Sequence, residues 1–149
     1  MEPGLENLDP WRLAAAAHEL GHLVCFRAAN IQVTEIVVRG HGERVSGHVW
    51  VPAQPLPDKS VRLYLSANLA GRAADLRWCD EVGMKPLPER TCADDWNGFR
   101  KHRRELGTPH WQSTHQSDAR RVVAAHWALI CRWAPKLARR GSLPVNAIS

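Results

Sequence analysis

The hydrophobic and polar positions of the first thirty residues predict a long helix. Asp9 can cap free amide groups at its start, and Pro10 suits the first helical position. No further proline occurs from Trp11 to Ala29, and the run from Ala14 to Ala17 favours helix strongly. We therefore expect a helix that begins at Pro10, with a change to strand near Asn30.

The next segment alternates branched apolar and polar residues in two runs. The runs are "IQVTEIVVRG" and "ERVSGHVWV", and the tripeptide "GHG" spans the boundary between them. Alternation of this kind on both sides of a glycine-rich turn is typical of a β-hairpin. We expect the hairpin to extend from Ile31 to Val51.

Three prolines in "PAQPLP" end the alternating pattern. Asp58 or Ser60 can then start a helix whose apolar positions recur at helical spacing, and this helix should end near Cys79. The segment "DEVGMKPLPERTCA" is typical of a loop, and "DDWNGFRKHRREL" resumes a short polar helix.

The C-terminal half is predicted to be helical. Ser117 or Asp118 can cap a final helix that Pro135 bends or ends. A chain of 149 residues fits one domain, and 44% hydrophobic with 23% charged residues is ordinary for a globular protein. We expect a single domain over residues 1–149, of mostly helical α+β class with one small hairpin or sheet.

Composition bears on location and redox state. No apolar run approaches the roughly 20 residues of a membrane span, and the first ten residues are acidic and polar, unlike a secretory signal. A cytoplasmic location is therefore expected. No CxxC pair occurs, so we expect reduced, mostly buried thiols at Cys25, Cys79, Cys92 and Cys131.

The charge balance admits an acidic partner without requiring one. The net charge is +5, and the densest basic cluster is "RKHRR" from Arg100 to Arg104. The basic residues spread over the second half of the chain and form no recognised nucleic-acid motif, so we interpret them as solvated helix faces. A nucleic-acid binder would instead show affinity that falls steeply with salt.

The segment "AAAAHELGHLV" carries the candidate chemistry. His18 and His22 are four residues apart, so on a helix both imidazoles project from one face and can reach one ion. Glu19 lies one position on, where it can accept a proton from metal-bound water, as in the HExxH zinc proteases. The alternative is a polar stripe on a structural helix.

Two histidines do not complete a catalytic zinc site, which normally has three protein ligands and a water. HExxHxxxxxH is excluded because Ala28 stands six residues beyond His22. The spacing leaves open a distant third ligand, and the candidates are Asp75, Asp94, Asp95, His102, His110, His115 and His126.

Three segments resemble one family in order along the chain. "HELGH" resembles HEAGH, "VTEIVVRGHGERVSGHVWVP" resembles the following hairpin, and "LAGRAAD" resembles LAGRAAE of the peptidase domain of the membrane-anchored AAA protease FtsH. The resemblance covers Leu13 to Leu106, whereas residues 107–149 are divergent. No GxxxxGK[ST] phosphate loop occurs, so we expect a stand-alone zincin-like peptidase domain without the ATPase module.

The resemblance also implies roles for acidic residues. A "SND" aspartate completes the zinc site of that family, and aligning it with "CADDW" makes Asp95 the third ligand, with Asp94 as the alternative. Asp75, at the end of "LAGRAAD", would orient a ligand histidine through a hydrogen bond. The implied cofactor is Zn²⁺.

These residues together predict a zinc-dependent endopeptidase for unfolded or flexible polypeptides. Glu19 would act as general base on the zinc-bound water. A substrate would add as a strand along Gly47, His48 and Val49 of the hairpin, so that backbone hydrogen bonds set its register. Folded substrates would need a separate unfoldase or adaptor, and the sequence leaves open a homo-oligomer.

A different class of function is compatible with the same residues. The chain would then be a zinc-binding regulatory or interaction module with weak or no catalysis. Its tryptophan-rich second half would contact the partner through Trp96, Trp111, Trp127 and Trp133. Core positions with one polar edge are the alternative interpretation of these side chains.

Overall fold

The first helix is the centre of the molecule. The computed structural model describes residues 7–149, so residues 1–6 of the predicted single domain lie outside the described residues. Helix α1 (Pro10–Ala28) begins as predicted, with Asp9 accepting a hydrogen bond from the Trp11 backbone amide at 2.8 Å. Every residue from 13 to 26 is buried. A helix covered on all sides needs partners for any polar side chain that it carries.

The predicted hairpin is present, and a third strand joins it. Strands β1 (Glu35–Arg39) and β2 (Ser46–Trp50) pair antiparallel, with Val38 opposite Gly47. Strand β3 (Ser142–Pro144), which the sequence did not predict, pairs with the other edge of β1. The order is β2-β1-β3, so β2 keeps one edge that pairs with no strand of the described residues.

Helix α2 packs closely across α1. It runs from Val61 to Val82, beyond the predicted end near Cys79, and ends at Gly83 in the left-handed conformation with φ 74°. A Cβ atom at Gly21 of α1 would lie 2.6 Å from the Ala70 carbonyl oxygen, so only glycine allows this approach of the two backbones.

Helix α3 (Ala93–Leu106) begins close to the predicted position. The segment before it is less loop-like than expected, because α2 occupies its first residues and a short 3₁₀ helix covers Glu89–Cys92. This connection places the first turn of α3 beside the middle of α1.

The C-terminal half forms two helices where the sequence predicted one, and the first begins before the predicted cap at Ser117 or Asp118. Helix α4 runs from Gln112 to Ala125 and helix α5 from Trp127 to Arg140. The break falls at His126, whose ring Nδ1 and backbone amide both donate to the Val122 carbonyl, at 2.9 Å and 3.1 Å. Pro135 lies inside α5 and does not end it.

The whole is mostly helical with a small antiparallel sheet, as predicted. Cys25, Cys79 and Cys92 are buried thiols, whereas Cys131 is half-buried. Burial raises the pKa of the Cys25 thiol to about 12. None of the helices formed by residues 7–149 combines the length and apolar character that crossing a membrane requires.

Candidate metal centre

Three potential ligand atoms meet where α3 approaches α1. His18 Nε2 and His22 Nε2 lie 3.1 Å apart. The Oδ2 atom of Asp95, from the first turn of α3, lies 2.8 Å from the first of these nitrogens and 3.2 Å from the second. Among the described residues this is the one group of three or more histidine, cysteine or acidic side chains whose ligand atoms converge within 4.8 Å.

Helix α2 fixes the outward nitrogen of each imidazole. His18 Nδ1 lies 2.5 Å from Oδ2 of Asp75, which is fully buried, and His22 Nδ1 donates to the Ala67 carbonyl at 2.7 Å. A hydrogen bond at Nδ1 sets the tautomer and the ring orientation, so Nε2 is left to bind a metal. Both imidazoles therefore present Nε2 toward Asp95.

The carboxylate of Asp75 is itself held in place. Its Oδ1 atom accepts a hydrogen bond from Arg72 at 3.2 Å, and the same Arg72 nitrogen donates to the Leu87 carbonyl at 2.8 Å. Leu87 belongs to the connection between α2 and α3. One guanidinium thus links the partner of His18 to the segment that precedes Asp95.

Gly71 of α2 leaves the space that the ligand atoms face. A Cβ atom at this position would lie 2.5 Å from His18 Nε2 and closer still to His22 Nε2. Any larger residue would fill the volume beside the two nitrogens. The small volume left by Gly71 and the nitrogen and oxygen donors fit a bound cation.

The charges of His18, His22 and Asp95 shift one another's pKa values. Burial lowers the pKa of His18, but its hydrogen bonds to Asp75 and Asp95 and the nearby charges of Glu19 and Asp75 together hold the pKa well above its usual range. Burial also lowers the pKa of His22, but the charge and hydrogen bond of Asp95 and the charge of Glu19 together raise it above its usual value. Burial acts to raise the pKa of Asp95, yet the adjacent imidazoles lower it.

Glu19 lies beside this cluster under strand β2. Its side chain is buried, and burial raises its pKa above the ordinary glutamate value. A Cβ atom on Gly47 would lie 2.8 Å from Glu19 Cγ, so the strand backbone passes directly over the carboxylate. A cleft of about 420 Å³ opens here, and its lining includes His18, Glu19, Gly47 and Asp94.

The structure separates the two adjacent acidic candidates. Asp95 lies with the histidines, whereas Asp94 is exposed and lines the cleft without joining the cluster. The downstream histidines lie elsewhere: His115, for example, bonds Ser66 at 2.9 Å. Asp75 contacts His18 at Nδ1, on the side of the ring away from Asp95.

The residues predicted to pair with a substrate strand all lie on β2, an outer strand of the sheet. Gly47 is exposed, and His48 and Val49 are half-buried. The same strand ends at Trp50, of which 59% is exposed.

Sequence reasoning missed the support that α2 gives to the site. No role in the site was predicted for the Ala67 carbonyl, Gly71 or Arg72. A signal was present, because Ala67, Ala70, Gly71 and Ala74 are small residues spaced on one helix face, as expected where two helices approach closely.

The tryptophans divide between two environments. Trp96, Trp127 and Trp133 are half-buried and pack against the core. Trp111, at the start of α4, is 78% exposed. Among the four, only Trp111 is largely available for a partner.

Comparison of the chain with protein-family models and with curated proteins found no match.

Proposed function

We propose that this protein is a zinc-dependent endopeptidase, similar to the FtsH peptidase domain, that hydrolyses peptide bonds in unfolded or flexible polypeptides. The observation that carries the proposal is the convergence of His18 Nε2, His22 Nε2 and Asp95 Oδ2 next to the buried Glu19. The residues involved are those that the HExxH helix and the "CADDW" segment contribute.

The donor set favours zinc. Two imidazole nitrogens and one carboxylate oxygen are ligands that zinc accepts, and catalytic zinc sites typically use three protein ligands. When bound, zinc acts as a Lewis acid that lowers the pKa of a water to about 7 and polarises a carbonyl group. His18, His22 and Asp95 would hold the ion, and Asp75 and the Ala67 carbonyl would keep the imidazoles oriented.

Glu19 would move the proton. It is one residue from His18 and lines the cleft beside Gly47. Burial raises its pKa, which brings the group closer to the pH at which it works as a base and then as an acid. Glu19 would accept a proton from the attacking water and donate it to the leaving amine.

Strand β2 would hold the substrate. Its backbone passes over Glu19 at Gly47, and its outer edge pairs with no strand of residues 7–149. An extended peptide can pair with such an edge through backbone hydrogen bonds. Such binding takes an unfolded segment and depends little on side chains. The 149 residues contain no GxxxxGK[ST] motif, and an unfoldase or adaptor would supply folded substrates to this edge.

The test measures bound metal and hydrolysis together. Purified protein is analysed for zinc, and cleavage of unfolded casein is followed before chelation, after chelation and after zinc is restored. We expect about one zinc per chain and cleavage that chelator abolishes and zinc restores. Bound zinc without cleavage would contradict the proposed enzymatic activity and favour a zinc-binding regulatory module.

A further inference from the structure

We propose that an apolar groove at the end of β2 receives a large apolar side chain of the substrate peptide, about two residues from the scissile bond and on one side of it only. The inference rests on the proposed peptidase function and specifies what the substrate carries. The groove has a volume of about 530 Å³, a size typical of ligand sites. Its apolar lining includes Phe26, Ile31, Val49, Val51, Leu56 and Tyr64.

The path of the peptide follows from the two walls that flank it. One wall is the free edge of β2. The other is α3, which contributes Asp95 to the metal centre, while His102 and Leu106 near its end border the groove. The cleft that His18 and Glu19 line and the groove both lie along β2, the first at Gly47 and the second at Val49.

The register of β2 sets the distance between cleavage and groove. Alternate residues of a strand face the same side, so Gly47 and Val49 share a face. Gly47 lies over Glu19, and Val49 lines the groove. Two strand residues span about 6.6 Å, so a peptide whose scissile bond lies beside Glu19 brings a side chain to the groove about two residues away.

Packed rings connect the groove to the metal centre. The His22 ring lies 6.4 Å from that of Phe26, and Phe26 lies 5.8 Å from Tyr64, measured between ring centroids. Phe26 is one helical turn beyond His22 on α1. The groove wall is thus continuous with a candidate ligand and is not a remote surface.

The opposite end of β2 differs in character, which makes the selectivity one-sided. There the cleft is bordered by four exposed charged residues, namely Glu43, Arg44, Arg90 and Asp94. Such a surface offers little burial to an apolar side chain. At the groove, by contrast, Trp50 and Leu106 are 59% and 41% exposed and can close over an apolar group.

The first test varies the peptide. Peptides of one length carry Phe, Leu, Ala or Asp either two residues before or two residues after the cleaved bond, and products are identified by mass spectrometry. We expect kcat/KM for Phe or Leu to exceed that for Asp by about 10- to 100-fold on one side and to be similar on the other. Equal values on both sides would overturn the groove while leaving the endopeptidase intact.

The second test measures binding without turnover. The same peptides, labelled for fluorescence anisotropy, are titrated into zinc-loaded Glu19→Gln protein, alone and combined with Leu56→Asp or Val82→Asp. Val82 is exposed at the end of α2 and lines neither the cleft nor the groove, so it is the matched control. We expect Leu56→Asp to abolish the preference for Phe over Asp and Val82→Asp to preserve it.

The outcomes separate the two proposals. The wild type could cleave no peptide at all and still bind the Phe peptide at least tenfold more tightly than the Asp peptide. In that case the peptidase proposal fails and the groove proposal stands. Equal binding of the two peptides overturns the groove. A wild-type dimer that only Leu56→Asp converts to a monomer, seen by light scattering, would also overturn it, because a second copy would then occupy the groove.

Discussion

At the scale of single residues, the Nδ1 atoms of His18 and His22 decide what the imidazoles can bind. Asp75 and the Ala67 carbonyl occupy these atoms, so both rings offer Nε2 to the same carboxylate. An imidazole that is free to rotate would lose entropy on binding a metal, and these two are already oriented. The site is therefore prepared by α2, which supplies none of the three candidate ligands.

Replacement of the two adjacent aspartates distinguishes ligand from neighbour. Asp95→Ala removes the atom that lies 2.8 Å from His18 Nε2, so we expect zinc content to fall from about one per chain to nearly none. Asp94→Ala changes an exposed side chain and should retain zinc. Elemental analysis of both purified variants checks this, and zinc loss from Asp94→Ala alone would contradict the assignment.

The residues of the HExxH helix could be found from the sequence because their spacing is local. His18, Glu19 and His22 share one helix, so helical geometry alone places them together. Asp95 is more than 70 positions away from them, and no local pattern predicts that contact. Asp94 and Asp95 are adjacent in the first turn of α3, so the orientation of this helix decides which of the two faces the histidines.

At the scale of elements, the close crossing of α1 and α2 builds the site. Gly21 allows the two backbones to approach, and Gly71 leaves room for the ligand nitrogens. The strong hydrophobic pattern of both helices was evident in the sequence. Strand β3 was not predicted because it has three residues and exists only through its pairing with β1.

Gly71→Ala tests this crossing. The added Cβ atom would meet His18 Nε2 and His22 Nε2, so we expect zinc affinity to fall about tenfold or more. Overpacking should also lower the free energy of unfolding by about 1–3 kcal/mol. Competition with a coloured chelator measures the affinity, and urea unfolding measures the stability.

Gly98→Ala is the matched control for that variant. Gly98 lies in α3, and its Cβ atom would meet only Asn68 Oδ1 at 3.3 Å. We expect unchanged zinc affinity and a stability equal to or above the wild type, since alanine favours helix over glycine by up to about 1 kcal/mol. Equal zinc affinity in the two variants would show that the space at Gly71 is not needed.

At the scale of the whole molecule, folding would be linked to the proposed metal binding. Asp95 on α3 lies 77 positions after His18 and 73 positions after His22, which are both on α1, so the three candidate ligands meet only in the folded chain. A ligand that binds the folded form alone raises the stability of that form. Protons compete for the same imidazoles, which makes the linkage depend on pH.

The metal-free protein should lose stability as pH rises above about 6.5, the ordinary histidine pKa. The folded-state pKa values of His18 and His22 are raised, so their contribution is complete below that pH and is lost as pH passes the raised values. Urea unfolding of chelated protein at pH 6 and pH 8.5 measures this difference.

Two further samples check the cause. Asp75→Asn removes a hydrogen bond that raises the pKa of His18, so the loss of stability between the two pH values should shrink. Saturating zinc should reverse the trend, because metal binds the deprotonated imidazoles. A pH trend that persists unchanged in Asp75→Asn would show that His18 is not its source.

The most direct measurement compares hydrolysis by wild-type and Glu19→Gln protein at equal, measured zinc content. Glu19 lines the cleft and is not one of the three converging ligands, so Gln should keep the metal and remove the base. We predict casein cleavage by the wild type and a rate lower by about 10²- to 10⁴-fold in the variant. Equal rates in the two proteins, or no cleavage by zinc-loaded wild type, would contradict the account.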